Sequence, residues 1–143
     1  MPRVEDDIYV DVDPETAFEY MDVPEHQAEI SPSLSTVEAV ETLPTGGKRA
    51  TYTYRMGGVL LDGEVKAVAY DPPERIVFEM TGGIDGTIEW TFSPEGDGVR
   101  VGYAAEYELP IPVLDRLAAP FIRKYNEREL ATTLRNLKTR LEV

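Results

Sequence analysis

Tyr52, Tyr54 and Met56 stand two residues apart, and the same spacing returns in Phe78 with Met80, Trp90 with Phe92, and, at twice that step, Tyr103 with Tyr107. A step of two puts side chains on one face of a β-strand, so each of these strands offers aromatic or thioether groups to one side. Leu117, Phe121 and Tyr125 follow at helical steps of four and make a matching stripe near the C-terminus. Rings and thioethers bring large apolar surface, and buried phenols need partners for their hydroxyls. A lined pocket with a few polar handles satisfies both demands and suits a hydrophobic small molecule, with methionine as adaptable wall. A solid core is the competing arrangement of the same residues.

Groups for covalent or acid–base work are scarce. His26 is the sole histidine, between Glu25 and Gln27, and with no cysteine in the chain it lacks a partner for metal binding or thiolate chemistry. It reads as a solvated side chain. Nothing places Ser31, Ser33 or Ser35 beside it and an acid as a triad would require. The segment Asp11-Val12-Asp13-Pro14 begins like a calcium loop but lacks the later glycine and glutamate. Acidic pairs such as Asp6-Asp7, Glu106 with Glu108, and Glu127 with Glu129 suit solvated faces. Asp62 and Glu64, with Arg55 on the neighbouring strand, would be acid–base candidates if they faced inward. They alternate against Leu61, Val65 and Ala67, however, which sends them outward. The glycines of 82–86 and 96–98 match neither G-x-G-x-x-G nor a P-loop and read as hairpin turns. The expectation is no catalytic residue, no metal and no cofactor.

Composition narrows the setting. Among 143 residues, Asp and Glu total 27 against 14 Lys and Arg, for a formal net charge of -13. Only Lys48, Lys66, Lys124 and Lys138 are lysines. Acidic excess with few lysines fits a protein bathed in concentrated salt, where self-repulsion is screened within roughly 3 Å at about 1 M. This predicts a halophilic, haloarchaeal protein. The charge argues against nucleic acid and anionic membranes as partners. No apolar stretch approaches the roughly 18 residues a membrane helix needs, and Met1-Pro2-Arg3 leads into Glu5-Asp6-Asp7 with no signal-peptide core. A cytoplasmic location is expected, with the oligomeric state left open.

The elements that must position the tyrosines follow from period and punctuation. Val4, Ile8, Val10 and Val12 share one face of a first strand. Asp13 before Pro14 reads as an N-cap with proline at the first helical position, starting a helix to about Asp22. Pro24 starts a second short helix to Ile30. Six strands follow: 37–43, 48–56, 59–70, 75–81, 87–93 and 99–109, with turn signals at 44–47, Gly57-Gly58, 71–73, Gly82-Gly83 and 94–98. Such short loops imply an antiparallel meander. After Pro110-Ile111-Pro112, residues Leu114, Leu117, Phe121, Leu130, Leu134, Leu137 and Leu141 mark a long helix, with a kink or break expected at Pro120 that would place a gate there. One α+β domain over 1–143 results: a curved seven-stranded antiparallel sheet gripping a long C-terminal helix.

This order of elements, together with Tyr70-Asp71-Pro72-Pro73-Glu74-Arg75, the 82–87 turn, the stretch from Trp90 to Gly98, and Asn126-Glu127-Arg128-Glu129 with Leu134 and Leu137, resembles the SRPBCC superfamily over essentially the whole chain. That is the helix-grip group of START lipid-binding domains, birch-pollen-allergen-like proteins and polyketide cyclase/dehydrase proteins. The resemblance implies a hydrophobic cavity between sheet and helix, and names no reaction. Two functions stay open beside each other: carriage or sensing of a lipid, isoprenoid, quinone or polycyclic aromatic, and a cyclase or dehydratase reaction using Tyr54, Tyr103 or Tyr107. A protein-interaction module working through the outer face of the sheet is a third.

Overall fold

A computed structural model describes residues 3–56, 59–108 and 115–143, the side chains of 59 and 115–119 excepted. The chain runs β1 (Arg3–Val10), α1 (Pro14–Met21), α2 (Pro24–Ile30), β2 (Leu34–Thr42), β3 (Lys48–Met56), β4 (Val59–Asp71), β5 (Arg75–Gly82), β6 (Asp85–Glu95), β7 (Gly98–Glu108) and α3 (Asp115–Leu141). The fold is the expected α+β helix grip. Strands β2 to β7 form a meander, and β1 closes the far side by pairing with β7, giving the seven-stranded order β1-β7-β6-β5-β4-β3-β2. Every pairing is antiparallel.

Local chemistry accounts for the helix starts. The Asp13 carboxylate accepts from the Thr16 backbone N–H at 2.8 Å, satisfying one of the free donors of α1, and Pro14 follows in the first turn. Pro24 does the same for α2 without a side-chain cap. The break expected at Pro120 is absent: α3 continues through it over 27 residues. Pro120 is the sixth residue of α3, so only one hydrogen bond beyond the unpaired first turn is forfeited. The expected Gly57-Gly58 turn, the strand end at Leu109, the Pro110-Ile111-Pro112 segment and Leu114 lie outside the described residues, as does the side chain of Leu117.

The concave face of the sheet meets α1, α2 and α3, while the convex face carries charge. There, arginines join neighbouring strands, each holding two acids: Arg100 with Asp7 and Glu95, both at 2.9 Å, and Arg49 with Glu64 at 2.7 Å and Glu41 at 3.4 Å. Arg3 with Glu5 and Glu106, and Arg75 with Asp71 and Glu89, repeat the pattern. A planar guanidinium serves two carboxylates better than an ammonium does, which gives the arginine preference a structural use. Asp62 and Glu64 point to this face, bonded to Thr53 and Arg49. Among the described residues no helix is long and apolar enough to cross a membrane.

Candidate functional site: a cavity under the middle of the long helix

The inward face of the sheet is not covered evenly. Helix α3 comes closest at β1 and α2, and its C-terminal half is tied down. Lys138 donates to the Tyr9 carbonyl at 2.9 Å, Asn136 to the Ile30 carbonyl at 2.9 Å, and Glu142 just beyond the helix accepts from the Asp11 N–H at 2.8 Å. Leu130, Leu134 and Leu137 drop into a closed core with Val10, Phe18, Ile76, Phe92, Val99 and Val101. Around the middle of α3, Asn126, Glu129 and Thr133 face the sheet beside Leu130, and between them, α2, β2 and β3 to β7 lies a cavity of about 150 Å³.

Most of the tyrosine and methionine set lines this space. Tyr52, Tyr54 and Met56 of β3, Phe78 and Met80 of β5, Trp90 of β6, and Tyr103 and Tyr107 of β7 all contribute wall. Strand register explains the convergence, since Trp90 pairs with Tyr103, Gly86 with Tyr107, and Tyr52 with Gly63. Gly63 is required by its neighbours: a Cβ there would run into the Thr81 carbonyl of β5 and lie 2.7 Å from the Tyr52 hydroxyl.

Three expected positions fall elsewhere. Phe92 is 2% exposed but belongs to the closed core, edge-on to Phe18 with ring centroids 5.4 Å apart, because α1 covers that end of β6. Phe121 is 75% exposed, so the stripe drawn from Leu117 to Tyr125 does not point at the sheet along its length. Tyr125 sits outside the wall as a strap: its hydroxyl contacts Ser33 Oγ and donates to the Arg55 carbonyl at 3.3 Å. Glu129 reinforces that seam by accepting from the Ser33 N–H at 2.6 Å.

Among the lining residues that sequence reasoning missed are Ile84 and Ile88 of the β5–β6 hairpin, Ala50 and Ala105, residues of α2 and β2 such as Gln27 and Leu34, and above all Asn126, Glu129 and Thr133. A signal for the last group existed, because 126, 129, 130, 133, 134 and 137 follow the three-and-four step of one helix face. Their polarity disguised it.

The phenols of the wall are neutral. Burial raises the pKa of the Tyr54 phenol far above its ordinary value, with nearby Tyr103, Glu129 and Tyr125 adding to it. Burial likewise raises Tyr103, aided by Tyr107, and burial raises Tyr52 and Tyr107. These phenols are therefore protonated at neutral pH, available as hydrogen-bond donors and unsuited as general bases. Tyr52 donates to the Ile84 carbonyl at 3.5 Å, and Asn126 Nδ2 donates to the Tyr107 hydroxyl. Glu129 and Lys48 are the ionisable residues on the wall besides the tyrosines. Lys48 is occupied by Asp22 at 3.4 Å and by the Gly46 carbonyl at 3.0 Å. Among the described residues no cluster of three or more His, Cys, Asp or Glu could hold a metal ion.

The model of the family described as polyketide cyclase/dehydrase and lipid transport matches residues 1–142. The chain belongs to that family. Comparison with curated proteins gives no match. Among solved structures, the fold is shared with the TTHA0849 protein of Thermus thermophilus, at 22% identity and TM-score 0.87, over 98% of this chain and 97% of that one. The Zhui aromatase/cyclase of a Streptomyces species matches at 14% identity and TM-score 0.82, over 99% and 93%. A START superfamily protein of Mycobacterium smegmatis matches at 15% identity and TM-score 0.77, over 98% and 97%. At these identities the likeness is one of fold.

Proposed function

We propose that the protein binds a hydrophobic small molecule in the cavity between the sheet and the middle of α3, as a carrier or sensor. The observation that carries this reading is the contrast within one sheet face, where a closed core gives way to about 150 Å³ of space walled by rings, methionine and neutral phenols. Membership in a family described by cyclase/dehydrase and lipid-transport activity supports a hydrophobic ligand in general terms. The ligand-contacting set we assign is Tyr52, Tyr54, Met56, Phe78, Met80, Trp90, Tyr103 and Tyr107, with Ile84, Ile88 and Asn126 added.

The test is to purify the protein without detergent, extract it with organic solvent and identify the extract by mass spectrometry, beside an Ala105→Trp variant that fills the cavity. One apolar compound per chain, missing from the variant, is the expected result. An empty extract, together with no uptake of offered lipids or polycyclic aromatics, would refute it.

A specific observation favours a second reading, a cyclase-type enzyme. Glu129 places a carboxylate on the cavity wall, and the raised phenols leave it as the acid–base group best placed there. Under that reading Glu129→Gln abolishes turnover of a bound polyketide-like substrate while leaving binding intact. Docking of a partner protein on the outer face is disfavoured by the ladder of arginine–carboxylate bridges that covers it. We also propose that the chain, as one domain in the cytoplasm, works in concentrated salt. Its thermal midpoint should rise on going from dilute to molar KCl, as screening relieves the repulsion of a net charge of -13; a midpoint that falls would refute this.

A further inference from the structure

Two groups on the cavity wall keep hydrogen-bonding capacity that the chain itself leaves unused. Glu129 accepts from the Ser33 N–H at 2.6 Å through Oε1, while its Oε2 has no hydrogen-bond partner and the carboxylate enters no ion pair among the described residues. Lys48, the cation on the same wall, is taken by Asp22 and the Gly46 carbonyl. Among the phenols, Tyr52 donates to the Ile84 carbonyl and Tyr107 receives from Asn126, but Tyr103 has no hydrogen-bond partner among the described residues. Its oxygen is not sealed away either, since Trp90 Nε1 is the sole sealed side-chain polar atom without a partner among those residues. Tyr103 therefore offers an O–H to the space its ring helps to wall, and Glu129 offers an acceptor. Tyr54 ties the two together: burial raises its phenol first, and the nearness of Tyr103 and then of Glu129 adds to it. Thr133, one turn beyond Glu129 on the same face, can donate or accept and so decides nothing.

We infer that the ligand carries a hydroxyl group that gives its proton to Glu129 and accepts from the neighbouring phenols, Tyr54 and Tyr103. Each other class leaves one side unanswered. A wholly apolar ligand would strip water from the carboxylate and the phenol and return nothing. A carbonyl accepts from a phenol but turns a lone pair toward the free oxygen of Glu129. A carboxylate or phosphate would bring like charge beside Glu129, with Lys48 already engaged by Asp22. An ammonium would satisfy Glu129 but has no lone pair for the phenol protons. A hydroxyl donates once and accepts besides, which matches one free acceptor set beside one free donor. The inference rests on the cavity being a ligand site and specifies the polar group of what enters it.

The experiment measures by calorimetry how the whole chain binds compounds built on one tricyclic frame: fluorene, 9-fluorenol, 9-fluorenone and 9-aminofluorene. Fluorenol should bind tightest, roughly tenfold more tightly than fluorene, as expected for a hydrogen bond to a charged acceptor. Equal affinities for fluorenol and fluorene, or tighter binding of fluorenone or aminofluorene than of fluorenol, would overturn the inference while the cavity reading stands. Failure of every compound to bind would overturn the inference and the cavity reading together. This series on the unaltered protein decides the matter even where a variant fails to fold. The Glu129→Gln variant then tests the acceptor. With its amide oxygen kept by the Ser33 N–H, glutamine puts an N–H where the free carboxylate oxygen was, so preference should pass from fluorenol to fluorenone. A folded Glu129→Gln protein that still prefers fluorenol would overturn the assignment. Tyr54→Phe and Tyr103→Phe test the donors: at least one should bring fluorenol down toward fluorene, and no change in either would overturn the role given to the phenols.

Discussion

The two ends of this sheet both bury apolar side chains and reach opposite results. At one end Val10, Ile76, Val99, Val101, Leu134 and Leu137 are at most 1% exposed, interlocked beneath α1 and the second half of α3. At the other end Tyr52, Met80, Ile84 and Tyr107 are 6–8% exposed and surround a void. Hydrophobicity does not separate the two. What differs is the shape and polarity of the facing surfaces. Branched aliphatics meeting leucines interdigitate to crystal-like density. Long side chains with polar tips, meeting Asn126, Glu129 and Thr133, stop where their hydroxyls and amides find partners, and space is left behind them. One helix therefore serves as a plug at one end and a roof at the other.

Substitutions that shrink a side chain should separate the ends most. Leu134→Ala opens a hole where none exists and should cost about 2–5 kcal/mol, whereas Met80→Ala enlarges an existing space and should fall at or below about 2 kcal/mol. Urea unfolding midpoints measure both; equal losses would break the comparison.

The reverse exchange sharpens it. Ala17 and Ala105 are 0% and 2% exposed. Ala17→Leu overfills the closed end and should destabilise by about 1–3 kcal/mol. Ala105→Leu has room, and should hold stability within about 1 kcal/mol while weakening uptake of hydrophobic probes such as fluorene.

Alkaline pH probes the phenols. Tyr70, which donates to Asp22 at 2.7 Å, is pushed up to about 12, chiefly by burial and then by that carboxylate. Burial raises Tyr54 and Tyr103 further. A pKa raised on folding contributes stability that is complete below the unfolded value of 10.0 and is lost as pH rises toward the folded one. Unfolding free energy should therefore be flat with respect to these groups below the ordinary phenol value of 10.0 and fall beyond it. Tyr70→Phe should make that fall shallower, a change visible in phenolate absorbance during titration.

The smallest effect belongs to the strap. Tyr125→Phe removes the contacts with Ser33 and the Arg55 carbonyl, at about 0.5–1.5 kcal/mol. Hydrogen exchange should quicken in the first half of α3 and stay unchanged around Leu137; acceleration spread over the whole helix would mean that the two halves do not act separately.

Strand spacing and turn residues made the sheet and its order of elements legible before any coordinates, because period two and short loops leave few alternatives. Alternation along β3, β5 and β7 also indicated which tyrosines and methionines turn inward. Placement along the strands was beyond it. Trp90 and Phe92 share a face and one buried cluster, but α1 packs over the Phe92 end of β6, and only Trp90 also reaches the cavity. The helix face was misread for a different reason. Phe121 is apolar and points to solvent, while Asn126 and Glu129 are polar and point in, an inversion of the rule that reads apolar as inward. That inversion marks the place where the helix covers a space instead of filling one.

Titrating ¹³C-methyl-labelled and aromatic-labelled protein with fluorene tests the central claim most directly. A binding cavity at one end of the sheet predicts saturable shifts at Met80, Ile84, Ile88, Ala105 and Trp90, with Val10, Val99 and Leu137 unmoved. Absence of saturable shifts, or shifts gathered instead at exposed Leu60 and Val68, would contradict it.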